Sequence, residues 1–307
     1  MQNILPTFYE MSILKFSMLI LFFGVIFGVQ MVQPALAFGN YERDLIYYPM
    51  DKKIADVRLN LKNTLEDTYF YTLDGEKLNA WYIKADENKP TVIYCHGQGE
   101  NISQWQTVAQ ALANKGYGVF MLEYRGHGRS EGTPSESGLY TDLESAIKYL
   151  NDYKQVPQNN IVLWGRSLGG AVVADVASRD TYKGIVLEST FTNIRAAGVH
   201  LCSTGILEGK FSLWGKLATT FVKFMPMTEK FDTEHKVSKI SSPLLIGHSI
   251  NDETIPVSMG EKLASLNSDA QVYISKTGSH HSSEWFVNRA LEFLASLNNT
   301  DSQSKNF

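Results

Sequence analysis

The sequence predicts an α/β fold with a mostly parallel, doubly wound sheet of about eight strands. Short apolar runs alternate with stretches of helical periodicity, and polar or glycine-containing turns separate them. Several of these turns carry reactive side chains directly after a strand, which is where open α/β sheets place functional groups. The 307 residues are 44% hydrophobic and 12% aromatic, which suits one enzyme-sized domain and excludes a disordered chain.

The predicted elements follow one another in the order that such a sheet requires. Helices fit the intervals between strands, for example over residues 103–115 and 139–151, where Leu143, Ile147 and Leu150 share one face. The strands that can be placed are Leu78 to Lys84, Thr91 to Cys95, Gly118 to Glu123, Asn160 to Trp164, Gly184 to Glu188, Leu244 to His248 and Val272 to Ser275.

The first 37 residues predict a secretory signal peptide. Lys15 precedes an uncharged apolar run that starts at Phe16, and Pro34-Ala35-Leu36-Ala37 supplies a small-x-small site for cleavage after Ala37. The apolar run is short for a spanning helix but not too short, so an uncleaved membrane anchor is the alternative. In either case we expect the domain at residues 38–297 to be exported, as a periplasmic, secreted or anchored protein, with a disordered tail at residues 298–307.

The segment from Ile161 to Gly170 is the most informative one. An apolar strand breaks into Gly165-Arg166-Ser167-Leu168-Gly169, and the small residues of a helix follow. A serine on such a sharp strand-to-helix turn presents its hydroxyl, and the helix N-terminus stabilises negative charge that develops nearby. Ser167 is therefore the candidate nucleophile. The alternative is a glycine-rich turn whose serine only caps the helix.

A nucleophilic serine needs a general base and an acid that orients this base, and both follow later in the chain. Asp252 comes after the strand Leu244 to His248, and His280 comes after the strand that ends at Ser275. Either residue alone could be an ordinary surface group. Together they give a serine, an acid and a histidine in the required order, each close behind a strand.

These motifs resemble those of the α/β-hydrolases, in particular the single-domain, short-lid enzymes described as α/β-hydrolase-domain or serine-aminopeptidase-like proteins. The resemblance spans residues 41–297 and includes the turn His96-Gly97-Gln98 and the segment from Glu123 to Gly132. It implies the α/β-hydrolase fold, an oxyanion hole formed by the backbone amides of Gln98 and Leu168, and catalysis without a cofactor.

The resemblance also bears on the residues around the acid and the base. Gly278-Ser279-His280 matches the family's turn, which implies that His280 is the base and that His281 is a surface or neighbouring group. One departure is His248-Ser249 before the acid, where the family usually has His-Gly. This departure leaves Asp252 itself unchanged.

The longest interruption of the strand pattern lies at about residues 190–240, where we expect a lid insertion. Within it, an apolar stripe falls on one helical face with lysines opposite: Leu213, Leu217, Phe221 and Phe224. Such a stripe fits a lid that covers Ser167 and lines an acyl pocket. It fits equally well the ordinary packing of a short helix against the core, because both arrangements bury the same side chains.

Composition and spacing exclude several other classes of function. The formal net charge is −4 and no basic stripe interrupts the mixed charges, so we expect no nucleic-acid partner. His96 and His127 lie in turns without ligands at metal-binding spacing, so we predict structural roles and no metal site. Cys95 lies in an apolar strand as a buried thiol, and with Cys202 as the second cysteine we expect no disulfide framework.

The sequence therefore predicts a serine hydrolase that acts on a small acyl ester. A peptidase or thioesterase would use the same three residues, and pocket chemistry would separate them. The alternative outside enzymes is a catalytically silent binding protein on a hydrolase scaffold, which should have lost a member of the Ser167, Asp252 and His280 set. No partner protein is implied, and membrane association is expected only through an uncleaved N-terminus.

Overall fold

The computed structural model describes residues 42–47, 56–204, 219–220 and 222–304, with side chains up to residue 297. Within this part of the chain, eight strands form one sheet in the order β1-β2-β4-β3-β5-β6-β7-β8. Their bounds are β1 Leu65–Tyr71, β2 Lys77–Ile83, β3 Thr91–Cys95, β4 Gly118–Leu122, β5 Ile161–Arg166, β6 Gly184–Glu188, β7 Leu244–Ser249 and β8 Gln271–Ser275.

The sheet confirms the predicted α/β class. β1 pairs with β2 and β2 pairs with β4 in antiparallel fashion, whereas the pairs from β4 through β3 to β8 are all parallel. Parallel strands place their carboxyl ends at one edge of the sheet, so the turns after β3, β5, β7 and β8 can meet there. This edge holds the candidate site.

One strand, β1, was missing from the sequence prediction. Its residues Leu65–Tyr71 contain two acidic side chains in a row, and much of the strand is exposed or half-buried. An edge strand that is solvated on one side does not need the continuous apolar run that marks a central strand. It is recognised only by its pairing with β2, which runs from Leu65 opposite Ile83 to Tyr71 opposite Lys77.

Helices cover both faces of the sheet. On one face, Trp164 packs edge-to-face on Phe286, and Val108 and Leu112 join the same buried cluster. The helices that follow β1 in the described residues include α1 Gln106–Asn114, α2 Glu136–Lys154, α3 Leu168–Ala177, α4 Ile194–Thr204, α5 Thr233–Val237, α6 Val257–Ser265 and α7 Glu284–Ser304. None of the helices in the described ranges is long and apolar enough to cross a membrane.

The last helix, α7, continues to Ser304 and so extends into residues 298–307, for which the sequence predicts a disordered tail. The predicted signal peptide at residues 1–37 lies outside the described residues, as do the last three residues of the tail.

The described residues within 195–228, together with Glu42, belong to a compact unit of their own. Here Cys202 and Val222 are buried against each other, and the Arg195 guanidinium donates to the carbonyl of Val222 at 2.7 Å. This unit occupies most of the predicted lid insertion at residues 190–240. Of the predicted apolar stripe, Leu213, Leu217 and Phe221 lie outside the described residues, whereas Phe224 is 76% exposed.

Candidate active site

The nucleophile candidate Ser167 lies between the last residue of β5 and the first residue of α3. Its backbone has φ 51° and ψ −118°, a left-handed conformation that is strained for any residue other than glycine. Two hydrogen bonds hold this turn, because the Ser167 amide donates to the Glu188 carbonyl at 2.8 Å and the Thr190 hydroxyl donates to the Ser167 carbonyl at 2.7 Å. The strained turn is thus held by the last residue of β6 and by the segment directly after it.

The glycines around Ser167 are required by close backbone contacts. A Cβ atom on Gly165 would lie 2.2 Å from the Gly169 carbonyl oxygen, and one on Gly169 would lie 2.1 Å from the Cys95 carbonyl oxygen. No side chain fits at such distances. The second contact also brings the first turn of α3 directly against the end of β3.

His280 lies between Ser167 and Asp252. Its Nε2 is 3.1 Å from Ser167 Oγ, and its Nδ1 is 2.9 Å from Asp252 Oδ2. All three residues are buried, with at most 9% of each exposed. The structure therefore brings together the three side chains that the sequence analysis selected from the turns after β5, β7 and β8. Two consecutive hydrogen bonds, one on each side of the His280 ring, connect them.

The two amides predicted for the oxyanion hole lie on adjacent segments. Leu168 is the first residue of α3, where backbone N–H groups lack partners within the helix, and Gln98 follows Gly97 in the turn after β3. The close approach of Gly169 to the carbonyls of Cys95 and His96 holds these segments together. The Gln98 side chain is directed elsewhere and donates to the Leu45 carbonyl at 2.6 Å.

Comparison with known proteins finds relatives whose sequences match most of this chain. Residues 86–230 match the family described as serine aminopeptidase, S33. The protein YfhR of Escherichia coli K12 is 32% identical over 258 residues, which cover 81% of each chain. The alpha/beta hydrolase domain-containing protein WAV2 of Arabidopsis thaliana is 31% identical over 251 residues, which cover 77% of this chain and 78% of WAV2.

The chain belongs to the α/β-hydrolase superfamily. Solved structures share this fold at lower sequence identity. An alpha-beta hydrolase from Vibrio vulnificus superposes with a TM-score of 0.66 at 20% identity and covers 87% of this chain and 95% of its own. An esterase from Pyrococcus furiosus gives a TM-score of 0.63 at 20% identity, with 81% and 98% of the two chains covered.

The Asp252 carboxylate of this α/β-hydrolase is held by four donors. Oδ1 accepts the backbone amides of Thr254 at 3.0 Å and Ile255 at 2.8 Å, and Oδ2 faces both His280 Nδ1 and His248 Nε2, the latter at 3.3 Å. Burial raises the pKa of Asp252, but hydrogen bonds from His248 and His280 outweigh this effect and hold the pKa well below its usual range. Asp252 is therefore ionised.

Burial lowers the pKa of His280, and the hydrogen bond and charge of Asp252 offset only part of this effect. The imidazole is consequently neutral around pH 7. With Nδ1–H donated to Asp252, the unprotonated Nε2 faces the Ser167 hydroxyl and can accept its proton.

His248 is a residue of the site that the sequence analysis did not select. Its Nε2 faces the same Asp252 carboxylate that His280 contacts, and it also lies 2.9 Å from the Ile255 carbonyl oxygen. The His248 side chain is completely buried. Since a carbonyl only accepts, Nε2 carries the proton. The motif His248-Ser249 was visible in the sequence, but only the three-dimensional turn shows that the ring reaches Asp252.

Ser249, the departure from the family pattern, connects two turns of the site. Its hydroxyl lies 3.1 Å from the Thr277 carbonyl and 3.0 Å from the Gly278 carbonyl, and its Oγ accepts the Asn251 amide at 3.1 Å. Glycine offers no hydroxyl for these contacts. The replacement therefore adds a link between the turn of the acid and the turn of the base.

The adjacent His281 occupies a different environment from His280. Its side chain is 73% exposed, and its Nε2 lies 3.6 Å from Glu253 Oε1. The other oxygen of Glu253 accepts the backbone amide of His280 at 3.1 Å. Of the two histidines, the structure brings only His280 to Ser167 and Asp252.

The two histidines predicted to be structural are buried beside the turn after β3. His96 donates from Nδ1 to the Gly97 carbonyl at 2.9 Å, and its Nε2 lies 3.0 Å from Glu123 Oε1. Burial lowers the pKa of His96, but the Glu123 carboxylate outweighs burial and raises the pKa overall. Burial without such a partner lowers the pKa of His127 to about 4.

Among the described residues, the side chains close enough to share a metal ion are Asp232, Glu234 and His235 at α5. Two of them already interact, because Asp232 Oδ2 is 2.7 Å from His235 Nδ1 and its other oxygen caps the short helix. The group is half-buried or exposed and shares no residue with the Ser167 site, so it offers no metal for the chemistry at Ser167.

Proposed function

We propose that this α/β-hydrolase is a serine hydrolase that cleaves carboxylic esters through an acyl-enzyme. The observation that carries the proposal is the pair of hydrogen bonds from His280, at 3.1 Å to Ser167 Oγ and at 2.9 Å to Asp252 Oδ2. A nucleophile, a neutral base and an ionised acid in this sequence of contacts form the arrangement that acyl transfer requires.

In the proposed mechanism, Ser167 Oγ attacks the ester carbonyl while His280 Nε2 takes the hydroxyl proton. Asp252 keeps the Nδ1–H tautomer in place and stabilises the imidazolium that forms. The amides of Gln98 and Leu168 donate to the developing oxyanion. Collapse of the tetrahedral intermediate expels the alcohol, to which His280 returns the proton, and a water molecule then hydrolyses the acyl-enzyme by the same steps.

Esters are favoured because solved neighbours from Pyrococcus furiosus and Rhodococcus are described as esterases. Peptide bonds are the second candidate, since residues 86–230 match a family described as serine aminopeptidase. Thioesters would use the same groups. The difference lies in the leaving group, because an amine needs more complete protonation by His280 than an alkoxide or thiolate does.

Labelling with a fluorophosphonate probe, followed by parallel assays, tests the proposal. The assays compare p-nitrophenyl esters of increasing acyl length with amino-acid p-nitroanilides under the same conditions. We expect labelling at Ser167 and turnover of esters. Turnover of anilides alone would favour the peptidase, and a folded protein without labelling or turnover would favour the silent binding protein.

We also propose that the domain acts outside the cytosol on a small acyl ester. The support is the sequence of the first 37 residues, with an apolar run followed by Ala35-Leu36-Ala37. Intact mass of the protein from its native host tests this proposal, and a chain that begins at Phe38 is expected. Retention of residues 16–32 in a membrane fraction would favour the anchored alternative, and retention in the cytosol would contradict export.

A further inference from the structure

The turn after β3 holds both backbone polar groups of Gly97 with side chains. The Gly97 amide donates to Glu100 Oε2 at 2.6 Å, and its carbonyl accepts from His96 Nδ1 at 2.9 Å. The peptide between Gly97 and Gln98 is planar and trans, so the direction of the Gly97 carbonyl also fixes that of the Gln98 N–H. His96 thus orients the peptide that carries the predicted oxyanion donor, and Glu100 holds the peptide directly before it.

The Glu100 carboxylate, in turn, is bound to the elbow. Its Oε1 accepts from Nη1 of Arg166, the residue directly before Ser167, and its Oε2 also accepts from Trp105 Nε1 at 3.0 Å. The Arg166 side chain is only 1% exposed and that of Glu100 only 15%. Loss of one partner from a pair at such depth leaves an uncompensated charge, which is far more costly than at the surface.

Arg166 lies directly beneath the turn. A Cβ atom on Gly97 would be 3.1 Å from Arg166 Nη1 and 2.9 Å from Glu100 Oε2, so only glycine leaves room for the ion pair. The guanidinium also stacks over the Trp105 ring, with its central carbon 4.3 Å from the ring centroid, and its Nε is 3.9 Å from Glu188 Oε1. The ion pair with Glu100 and the stacking on Trp105 hold the guanidinium in this position.

We propose that Glu100 and Arg166 are a positioning pair that holds the Gln98 amide against the Ser167 elbow, so that the oxyanion hole is formed before substrate binds. This inference rests on the proposed function, because the direction of the amide matters for turnover only if an oxyanion develops there. A donor that is already in place needs no reorganisation as charge develops. Its displacement therefore lowers kcat more than it raises KM.

The same pair also affects the charge around the base. The groups that face His280 are Asp252 and His248 at its Nδ1 side, Glu253 and His281 beside it, and Arg166 with Glu100 from the elbow and the turn. Burial lowers the pKa of His280 and Asp252 raises it, while the smaller effects of Arg166 and Glu100 oppose each other. Without the Glu100 charge, the Arg166 charge lowers the pKa further.

The variant Glu100→Gln keeps the shape of the side chain and removes its charge. For a p-nitrophenyl ester we expect kcat to fall about 10- to 100-fold, with KM changed by less than about threefold. The acid limb of the kcat/KM profile should move to lower pH, because activity requires neutral His280 and its pKa falls. Loss of a merely structural contact would not shift the acid limb of the kcat/KM profile to lower pH.

Asp142→Asn is the matched control. Asp142 is also a buried carboxylate that accepts one backbone amide, that of Arg125 at 2.9 Å, and one guanidinium, from Arg125 Nε at 2.8 Å, but it takes no part in the Ser167 site. We expect this variant to lose thermal stability while kcat per labelled site and the acid limb stay unchanged. Burial raises the pKa of Asp142 to about 7, so the two variants are compared well above pH 7, where Asp142 is ionised. The control separates loss of a buried carboxylate in general from loss of the Glu100–Arg166 pair.

A folded Glu100→Gln protein with unchanged kcat and an unchanged acid limb would overturn the inference while leaving the hydrolase proposal intact. If the unaltered protein neither labels at Ser167 nor hydrolyses esters, the proposed function fails instead. Should Glu100→Gln not fold, Glu100→Asp decides, since it keeps the charge but is too short to reach both Gly97 and Arg166, and a lower kcat is expected. Failure of both variants to fold would assign the pair to stability and contradict a positioning role.

Discussion

The two sides of Ser167 are built in opposite ways. On the side of the base, side chains are the groups that would react, and backbone amides hold them, as those of Thr254 and Ile255 hold Asp252. On the side of the oxyanion turn, a backbone amide would act, and the side chains of His96 and Glu100 hold it. Substitution therefore removes a reacting group on the first side and only misdirects one on the second.

The largest effect should come from Ser167→Ala, which removes the group that both sides serve. We expect no fluorophosphonate labelling and a loss of at least about 5 kcal/mol of transition-state stabilisation, which corresponds to several thousandfold in kcat/KM. Circular dichroism and the melting temperature should show a folded protein. Substantial ester turnover by this variant would contradict the hydrolase mechanism on both sides of the site.

The next largest effect tests the side of the base through two neighbouring histidines. His280→Ala should lower kcat by at least about a thousandfold, because His280 Nε2 is the base within hydrogen-bond distance of Ser167 Oγ in the described part of the chain. His281→Ala should lower it by less than about tenfold, since that ring is exposed and its ion pair with Glu253 lies at the surface. Steady-state kinetics of the two purified variants measure the difference, and the reverse ranking would assign the base to His281.

The contrast between the two sides also explains what the sequence could predict. Ser167, Asp252 and His280 stand out because each is a reactive residue type directly after a strand, and the order of the three is informative. Glu100 carries no such signal, since its role depends on Arg166, 66 positions later in the chain. In the same way the apolar central strands were predicted, whereas β1 at the solvated edge was not.

A third prediction concerns His248, whose Nε2 lies 3.3 Å from Asp252 Oδ2. His248→Leu removes this donor and should lower kcat/KM by about tenfold, the value of one buried hydrogen bond to a charged group. Asp252 would then interact more strongly with the His280 imidazolium, so the acid limb should move to higher pH. This direction is opposite to that expected for Glu100→Gln. A pH profile identical to that of the unaltered protein would show that His248 does not act through Asp252.

The smallest effect is expected for Glu253→Gln, which completes the comparison of two carboxylates. Glu253 accepts the His280 amide at 3.1 Å, as Glu100 accepts the Gly97 amide at 2.6 Å. However, the Glu253 side chain is 46% exposed, has no arginine partner within the site, and would be replaced by an amide oxygen that can still accept. We therefore expect kcat within about threefold of the unaltered value. A loss as large as that of Glu100→Gln would mean that burial and the Arg166 charge do not distinguish the two sides of Ser167.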